Sequence, residues 1–193
     1  MLGSIIKEEI KMKTACMLLA EGFEEIEAVT PIDYLRRAGI YVNVVGIVGK
    51  RVRGSHGIII ETDSGPEALE KDYDAIVIPG GMPGASNLAN SALVRSLIIR
   101  HYEKGKLIAA ICASPAIVLH GACNLLQGRE FTCYPGTEDQ IRGGHFRAER
   151  VVKDGNIITS QGPGTAGEFA ISIISVLEGP QKANEVAQHA LLK

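Results

Sequence analysis

The sequence predicts an α/β fold built around a mostly parallel, doubly wound β-sheet. Apolar runs of strand length, at residues 14–20, 41–48, 74–81 and 106–113, alternate with segments long enough to form helices. This alternation is typical of a parallel sheet that is covered by helices on both faces. The composition agrees, because 46% of the residues are apolar but only 5% are aromatic, as expected for aliphatic strands in a buried sheet.

The connections between these strands carry helix signals. Thr30-Pro31-Ile32-Asp33 places a capping hydroxyl, a proline and an acid in order, which predicts a helix that begins there and stops at Gly39. Residues 24–29 would form an earlier turn, either separate from this helix or joined to it through a kink at Pro31. A second helix is predicted from Asn87 to Glu103.

The last third of the chain adds a β-hairpin and two helices. Asp154-Gly155 lies between two β-branched runs, which is a strong hairpin signal. A long helix is predicted at about residues 165–177, and a short one begins at Gln181. We expect one α/β domain over residues 13–193, preceded by an N-terminal extension at residues 1–12.

Composition also excludes several classes of protein. With 20 basic against 22 acidic residues, the chain lacks the positive charge that nucleic-acid binding requires. No apolar run reaches the ~20 residues that span a bilayer, and residues 1–12 lack the apolar region of a signal peptide. The cysteines, which are Cys16, Cys112, Cys123 and Cys133, form no CxxC pair. We therefore expect a soluble cytoplasmic protein with reduced thiols, and no nucleic-acid or membrane partner.

Ligands in an open parallel sheet bind beyond the carboxyl ends of the strands. Chemically useful residues follow three of the predicted strands, at Glu21–Glu27, at Pro79–Gly84 and at Ile111–Pro115. If these strands are neighbours, carboxyl groups, a Gly-Gly turn and a thiol face the same crevice.

Cys112 is the strongest candidate for a reactive residue. It follows an apolar strand and precedes small residues and a proline, which is the pattern of a strand–nucleophile–helix turn. A helix N-terminus pointing at the sulfur would lower its pKa and favour the thiolate. The alternative is a buried structural thiol, the common fate of cysteine in an apolar run. The other three cysteines lack this context.

Glu27 is the candidate acid of the same crevice. Burial beside a thiol would raise the pKa of its carboxyl, which could then donate a hydrogen bond to sulfur or move protons. The alternative is a solvated helix face, and we expect the neighbouring Glu24 and Glu25 to face water. Gly80 and Gly81 could direct N–H groups at an oxyanion, although a tight turn explains both glycines equally well.

The remaining signals are weaker. His145 follows two glycines in a loop, which fits either a site residue or a surface histidine. Residues 162–167 match GxGxxG, but no later strand supplies the acid of a dinucleotide site, so close helix–sheet packing explains these glycines better. His120 and Cys123 have a metal-like spacing without a second pair. We expect no metal and no cofactor.

Several segments together resemble one known family. LIAAICASPA around Cys112, AIVIPGGMPGA at 75–85, LLAEGFEEIEAVTPIDYLRRAGI at 18–40, GGH at 143–145 and TSQGPGTAGEFA at 159–170 resemble the ThiJ/PfpI superfamily. The similarity is greatest to its DJ-one branch, which includes the parkinsonism-associated protein deglycase, and it covers residues 13–193. The resemblance implies a flavodoxin-like sandwich and a homodimer.

The resemblance also implies roles for individual residues. Cys112 corresponds to the nucleophile, Glu27 to the acid beside it and His145 to a nearby histidine that could assist hydrolysis, while Gly80 and Gly81 line the site. Protease-like members place a histidine directly after the nucleophile. This chain has Ala113 there, which argues against peptidase activity. Ala113 is instead expected among the residues that bind the substrate or its oxyanion.

Two functions are compatible with these residues. The first is a cofactor-independent glyoxalase or deglycase, in which Cys112 attacks methylglyoxal, glyoxal or an early glycation adduct. The second is a redox sensor or chaperone for oxidative stress, in which Cys112 is oxidised to a sulfinic acid that Glu27 stabilises.

Overall fold

The computed structural model describes residues 12–192, so residues 1–11 of the predicted N-terminal extension lie outside it. The strands of the described residues are β1 (Thr14–Leu19), β2 (Tyr41–Gly46), β3 (Arg51–Arg53), β4 (Ile59–Glu61), β5 (Ala75–Ile78), β6 (Leu107–Ile111), β7 (Glu130–Phe131), β8 (His145–Phe146), β9 (Val151–Asp154) and β10 (Ile157–Ser160). Six of them form a central sheet in the order β2-β1-β5-β6-β10-β9.

The central sheet confirms the predicted fold class. All of its neighbouring strands are parallel except β9, which pairs antiparallel with β10 as the predicted hairpin. Strands β5 and β6 are buried along their whole length, which explains why they read as continuous apolar runs rather than as an alternating pattern.

Helices flank this sheet in two groups. The helices are α1 (Glu25–Arg37), α2 (Gly84–Asn90), α3 (Ala92–Glu103), a π-helix (Pro115–Ala122), α4 (Ala166–Glu178) and α5 (Pro180–His189), with short 3₁₀ turns at Pro66–Glu70, Glu138–Gln140 and Pro163–Thr165. In one group α4 packs between α1 and α5, and in the other α2 packs against α3 and the π-helix. No helix in residues 12–192 is long and apolar enough to cross a membrane.

The predicted start of the first helix is wrong. Helix α1 begins at Glu25, and Pro31 lies inside it. A tertiary contact explains the early start, because Glu24 N–H donates to Gly80 O at 3.0 Å and Glu24 O accepts from Ala28 N–H at 3.2 Å. The first turn is therefore anchored to the loop after β5, so the local capping signal at Thr30 is not used. The alternative of one helix through Pro31 describes the structure better.

The predicted helix from Asn87 to Glu103 is in fact two helices. Ser91 separates α2 from α3 in an extended conformation, and its hydroxyl accepts a hydrogen bond from Val94 N–H at 3.3 Å. This is an N-cap, which begins a new helix in the middle of the predicted one. The apolar periodicity on both sides of Ser91 concealed the break.

Two small sheets border the central one. Strands β3 and β4 form an antiparallel pair, and β7 and β8 form a parallel pair. A backbone bridge between Phe23 and Gly54 joins the first pair to the segment after β1. The carboxyl ends of β1, β5, β6 and β10 meet at one edge of the central sheet, which is where a doubly wound fold binds ligands.

Candidate active site

Cys112 lies directly after β6, where the chain turns sharply into the π-helix. Its φ angle of +67° is in the left-handed region, which a residue with a side chain rarely adopts. Two backbone hydrogen bonds hold it there: Cys112 N–H donates to Ser160 O at 3.0 Å, and Tyr134 N–H donates to Cys112 O at 2.8 Å. A strained cysteine held between a strand and a helix is the geometry of a nucleophile elbow.

Glu27 reaches the same place from α1, and it is completely buried. Gly80, which follows β5, donates its N–H to Glu27 Oε2 at 2.8 Å. A β-carbon at position 80 would lie 2.8 Å from that oxygen and 3.0 Å from Cys112 Sγ. The carboxyl and the thiol therefore pack against one glycine, and any side chain there would separate them.

The N–H groups that face the sulfur belong to Gly81 and Ala113. Gly81 has a φ angle of +84°, and a β-carbon on it would lie 2.4 Å from Glu24 N, so only glycine fits. The Gly80 N–H is engaged by Glu27. The expectation that Gly80 and Gly81 together hold an oxyanion is therefore corrected: beside the sulfur, the donors are Gly81 and Ala113.

Cys112 and Glu27 influence each other's protonation. Burial and the neighbouring Glu27 charge raise the pKa of the Cys112 thiol to about 12, and the N–H groups of Gly81 and Ala113 oppose this rise. Burial also raises the pKa of Glu27 to about 7. The expected lowering of the cysteine pKa is therefore not found, because burial outweighs the helix N-terminus. Coupled acids titrate as a pair, so between these two values Cys112 and Glu27 share one proton.

The structure brings two further residues to the site that sequence reasoning missed. The Tyr134 ring carbon Cδ2 lies 3.4 Å from the point that a β-carbon on Gly162 would occupy, and Glu27 Oε1 lies 3.9 Å from the same point. This oxygen is buried without a hydrogen-bond partner among the described residues. Gly162 follows β10, so the carboxyl-end rule could have found it, whereas nothing local marks Tyr134.

His145 lies in another part of the molecule. It pairs with Glu130 across β7 and β8, and Glu130 N–H donates to Asp154 Oδ2 at 2.9 Å. Asp154 faces Ile157 at the amino end of β10, whereas Cys112 bonds to Ser160 at the carboxyl end, about 10 Å further along the strand. The structure thus does not bring His145 to the Cys112 site.

The other cysteines differ from Cys112 in their surroundings. Cys16 is completely buried inside β1, and burial raises its pKa well above the usual range. Burial raises the pKa of Cys123 to about 11 and also raises that of Cys133. Among the four, Cys112 alone has a carboxyl group and two N–H groups of a turn directed at its sulfur.

Glu24 and Glu25 do not face water as expected. They are only 9% and 5% exposed, because both carboxylates accept hydrogen bonds from the loop between β3 and β4, including one from Ser55 Oγ to each. His56 Nδ1 lies 3.0 Å from Glu25 Oε2. The oxygen and nitrogen atoms of Glu24, Glu25 and His56 lie within 4.8 Å of one another, close enough to hold a metal ion, but their mutual hydrogen bonds already account for this arrangement.

The GxGxxG match at residues 162–167 has structural explanations. Gly162 faces Tyr134 and Glu27. A β-carbon on Gly167 would lie 2.8 Å from Leu192 Cδ1, so this glycine permits the end of the chain to pack on α4. Neither position needs a nucleotide to account for it.

Comparison with known proteins agrees with this geometry. The DJ-1/PfpI family matches residues 13–176. The chain is 43% identical over 188 residues to the Parkinson disease protein 7 homolog of Danio rerio, a match that covers 94% of this chain and 98% of that protein. It is 37% identical over 179 residues to the glutathione-independent glyoxalase DJR-1.2 of Caenorhabditis elegans, covering 90% of this chain and 94% of that one.

Solved structures give the same result. Drosophila melanogaster DJ-1beta superposes with a TM-score of 0.89 at 39% identity, covering 94% of this chain and 99% of that one. The oxidised DJ-1 of Toxoplasma gondii superposes with a TM-score of 0.90 at 41% identity, covering 93% and 98% of the two chains. With its fold, its cysteine elbow and these relatives in agreement, this chain belongs to the DJ-1/PfpI family.

Proposed function

We propose that this protein is a cofactor-independent glyoxalase that converts methylglyoxal or glyoxal into the corresponding hydroxy acid. The observation that carries the proposal is the packing of the Cys112 thiol and the Glu27 carboxyl against the same face of Gly80, where a β-carbon would lie 3.0 Å from the sulfur and 2.8 Å from Glu27 Oε2. A nucleophile and an acid in contact can attack a carbonyl and move protons on the same substrate. The name of the C. elegans relative, a glutathione-independent glyoxalase, supports the same chemistry.

The shared proton of the pair belongs on Glu27 in this mechanism, which leaves Cys112 as the thiolate. Two N–H groups, from Gly81 and Ala113, favour negative charge on the sulfur. A protonated Glu27 remains bonded to Gly80 N–H through Oε2 and holds a proton ready for the substrate. The thiolate is the reactive form of cysteine, so this arrangement prepares the nucleophile without a separate base.

The first half of the reaction forms a carbon–sulfur bond. The Cys112 thiolate adds to the aldehyde carbon of methylglyoxal, and Glu27 gives its proton to the aldehyde oxygen, which produces a hemithioacetal. The Glu27 carboxylate then removes the hydrogen on that carbon as a proton, leaving an enediolate. Gly81 and Ala113 N–H groups, which face the sulfur, stabilise oxygen charge beside it.

The second half releases the product. Glu27 returns its proton to the former ketone carbon while the hydroxyl proton of the first carbon passes to the second oxygen, giving a lactoyl thioester on Cys112. The Glu27 carboxylate then accepts a proton from water as the water attacks the thioester, and the carbon–sulfur bond breaks. Lactate leaves with a proton, and the thiolate is restored. The substrate is oxidised at one carbon and reduced at the next, so no external oxidant is needed.

Lactate formation from methylglyoxal by metal-free protein tests this proposal. We expect Cys112→Ala to abolish the activity, and Glu27→Gln to lower kcat/KM by about 100-fold or more, because general acid–base catalysis contributes this much. The Cys112→Ala variant is the matched background. Lactate formation that does not exceed this background would overturn the proposal. Glycated peptides measured in the same assay show whether early glycation adducts are also substrates.

A redox sensor is the second candidate function, and one comparison favours it. The similar T. gondii structure is of an oxidised DJ-1. The same Glu27 carboxyl and the N–H groups of Gly81 and Ala113 would hydrogen-bond to the oxygens of a sulfinic acid on Cys112. Peroxide titration followed by peptide mass spectrometry should then add two oxygens to Cys112 before Cys16, Cys123 or Cys133. Equal oxidation of all four would count against this function.

We further propose that the protein is a homodimer and acts in the cytoplasm. Ile26 and Val29 on α1 are 52% and 48% exposed, and Ile58 in the loop between β3 and β4 is 57% exposed. This loop adjoins α1, because Ile58 N–H donates to Glu25 Oε1 at 3.3 Å. An exposed apolar patch of this kind is typical of an interface.

The four cysteines are free, which suits a reducing compartment.

A further inference from the structure

Ser114 lies at the start of the π-helix but does not cap it. It directly precedes Pro115–Ala122, and its side chain makes no capping hydrogen bond. Serine is favoured at the start of a helix because its oxygen accepts an N–H of the first turn, so another contact must account for its use here. Ser114 Oγ donates to Pro79 O at 2.6 Å, and the residue is completely buried. The hydroxyl therefore joins the Cys112 elbow to the loop after β5.

The carbonyl that accepts this bond belongs to the same peptide group as the N–H that binds Glu27. Pro79 C=O and Gly80 N–H are the two polar ends of one peptide bond, and they point in opposite directions because that bond is planar and trans. The Gly80 N–H donates to Glu27 Oε2 at 2.8 Å. A continuous chain of hydrogen bonds thus runs from the Ser114 hydroxyl, through this peptide group, to the Glu27 carboxyl.

The Ser114 hydroxyl acts on this peptide group in two ways. A hydrogen bond to the carbonyl strengthens the N–H at the other end, because successive hydrogen bonds polarise one another. It also fixes the rotation of the peptide plane, which Gly80 by itself restricts little because it has no side chain. The bond from Glu24 N–H to Gly80 O, at 3.0 Å, holds the following peptide group rather than this one.

The bond that the peptide group makes to Glu27 affects the protonation of the acid. Burial raises the pKa of Glu27 to about 7, and the Gly80 N–H opposes this rise. The N–H does so because a hydrogen bond to the carboxylate favours the charged form. A weaker or misdirected N–H would therefore make the carboxylate harder to form.

We propose that Ser114 is a positioning residue for the reactive pair, and that it directs the Gly80 N–H at Glu27 through the Pro79–Gly80 peptide group. The inference rests on the proposed function, in which Glu27 gives up and regains its proton more than once in each turnover. An acid with this task must form its carboxylate readily and in one place. The Ser114 hydroxyl meets both needs by holding the donor that faces it.

Titration of Glu27 tests the inference without turnover. NMR of the glutamate carboxyl carbons, assigned with Glu27→Gln, follows it in a Cys112→Ala background, where no thiol couples to the acid. We expect Ser114→Ala to raise the midpoint by about 0.5 pH units or more, because the carboxylate loses part of a hydrogen bond. Ser114→Thr keeps the hydroxyl and should keep the midpoint.

Thr62→Val is the matched control for the loss of a buried hydroxyl. Thr62 is 4% exposed, and its Oγ1 donates to Lys50 O and Ser64 O at 3.1 and 3.0 Å, outside the chain of bonds that leads to Glu27. This variant should leave the Glu27 midpoint unchanged. An unchanged midpoint in Ser114→Ala, or an equal rise in Ser114→Thr or Thr62→Val, would overturn the inference.

Lactate formation with Cys112 present separates this inference from the proposed function. Ser114→Ala should lower kcat by about tenfold with little change in KM, because a misplaced acid weakens the transition state rather than substrate binding. If the Glu27 midpoint responds but the wild-type protein forms no lactate, the positioning role stands and the proposed function fails. If lactate is formed and Ser114→Ala changes neither the midpoint nor kcat, the positioning role is wrong and the function stands.

Discussion

Gly80 N–H donates a 2.8 Å hydrogen bond to Oε2 of Glu27, and this contact ties the loop after β5 to helix α1 beside the Cys112 sulfur. The same glycine leaves room for both reactive groups, since its missing β-carbon would lie 2.6 Å from Cys112 Cβ. Gly80 therefore positions the acid and the nucleophile relative to each other.

Replacing Gly80 with alanine should separate Cys112 from Glu27. The added methyl group would lie within 3.0 Å of atoms of both residues, so one side chain or the loop must move. We expect a loss of about 1–3 kcal/mol in stability from overpacking and a fall in kcat/KM of about 100-fold from misplacement of the reacting groups. Chemical denaturation and lactate formation measure these two effects. Gly49→Ala is the control, because a β-carbon on Gly49 meets nothing within 4 Å; equal effects of the two variants would contradict the prediction.

Stability should fall as pH rises because of Glu27. Its pKa is raised from 4.5 to about 7 in the folded protein. Below pH 4.5 the Glu27 carboxyl is protonated in both the folded and the unfolded protein, so it does not lower the free energy of unfolding. Between pH 4.5 and 7 the unfolded chain loses this proton while the folded protein keeps it, which removes about 3 kcal/mol of stability. Urea denaturation across this range measures the loss. Glu27→Gln should abolish this loss, and Glu61→Gln, at an exposed position, should not. A wild-type free energy of unfolding that does not fall relative to that of Glu27→Gln across this window would contradict the assignment.

Reactivity of Cys112 should increase with pH around neutrality. The pair loses its first proton near pH 7, and the proposed mechanism places the remaining proton on Glu27, which makes the sulfur a thiolate. The rate of iodoacetamide alkylation at Cys112, followed by mass spectrometry, should therefore rise with a midpoint of about 7. Cys123 in the same protein is the internal control, since burial raises its pKa to about 11. A Cys112 midpoint near that of Cys123 would show that the proton stays on the sulfur.

The apolar patch on α1 should control self-association. Ile26→Lys combined with Val29→Lys places two charges in the proposed interface, where burying them without partners is unfavourable. We expect the variant to be a monomer and the wild-type protein a dimer in analytical ultracentrifugation. Leu93→Lys is the matched control, because Leu93 is 54% exposed on α3, in the other group of helices. A dimer that survives both α1 changes would place the interface elsewhere.

Local sequence patterns predicted most of the architecture. The strands β1, β2, β5 and β6 and the β9–β10 hairpin lie where the apolar runs and Asp154-Gly155 indicate them. These elements are encoded locally, because burial on both faces requires an unbroken apolar run and a tight hairpin requires turn residues. The boundaries that were wrong have another origin. Helix α1 begins early because Glu24 bonds to Gly80, which is distant in the chain.

The site shows the same division. Sequence alone indicated Cys112 from its place between a strand and small residues, and Glu27 from its place after β1, while the resemblance to a known family gave each a role. Tertiary structure decided that Gly80 N–H binds Glu27 and that Glu24 and Glu25 are buried. It also decided that Tyr134 and Gly162 border the reactive pair and that His145 lies near the other end of β10. Strand and turn patterns are local properties of the chain. Which N–H meets which carboxyl depends on how strands distant in sequence are ordered in the sheet, and no local pattern contains that order.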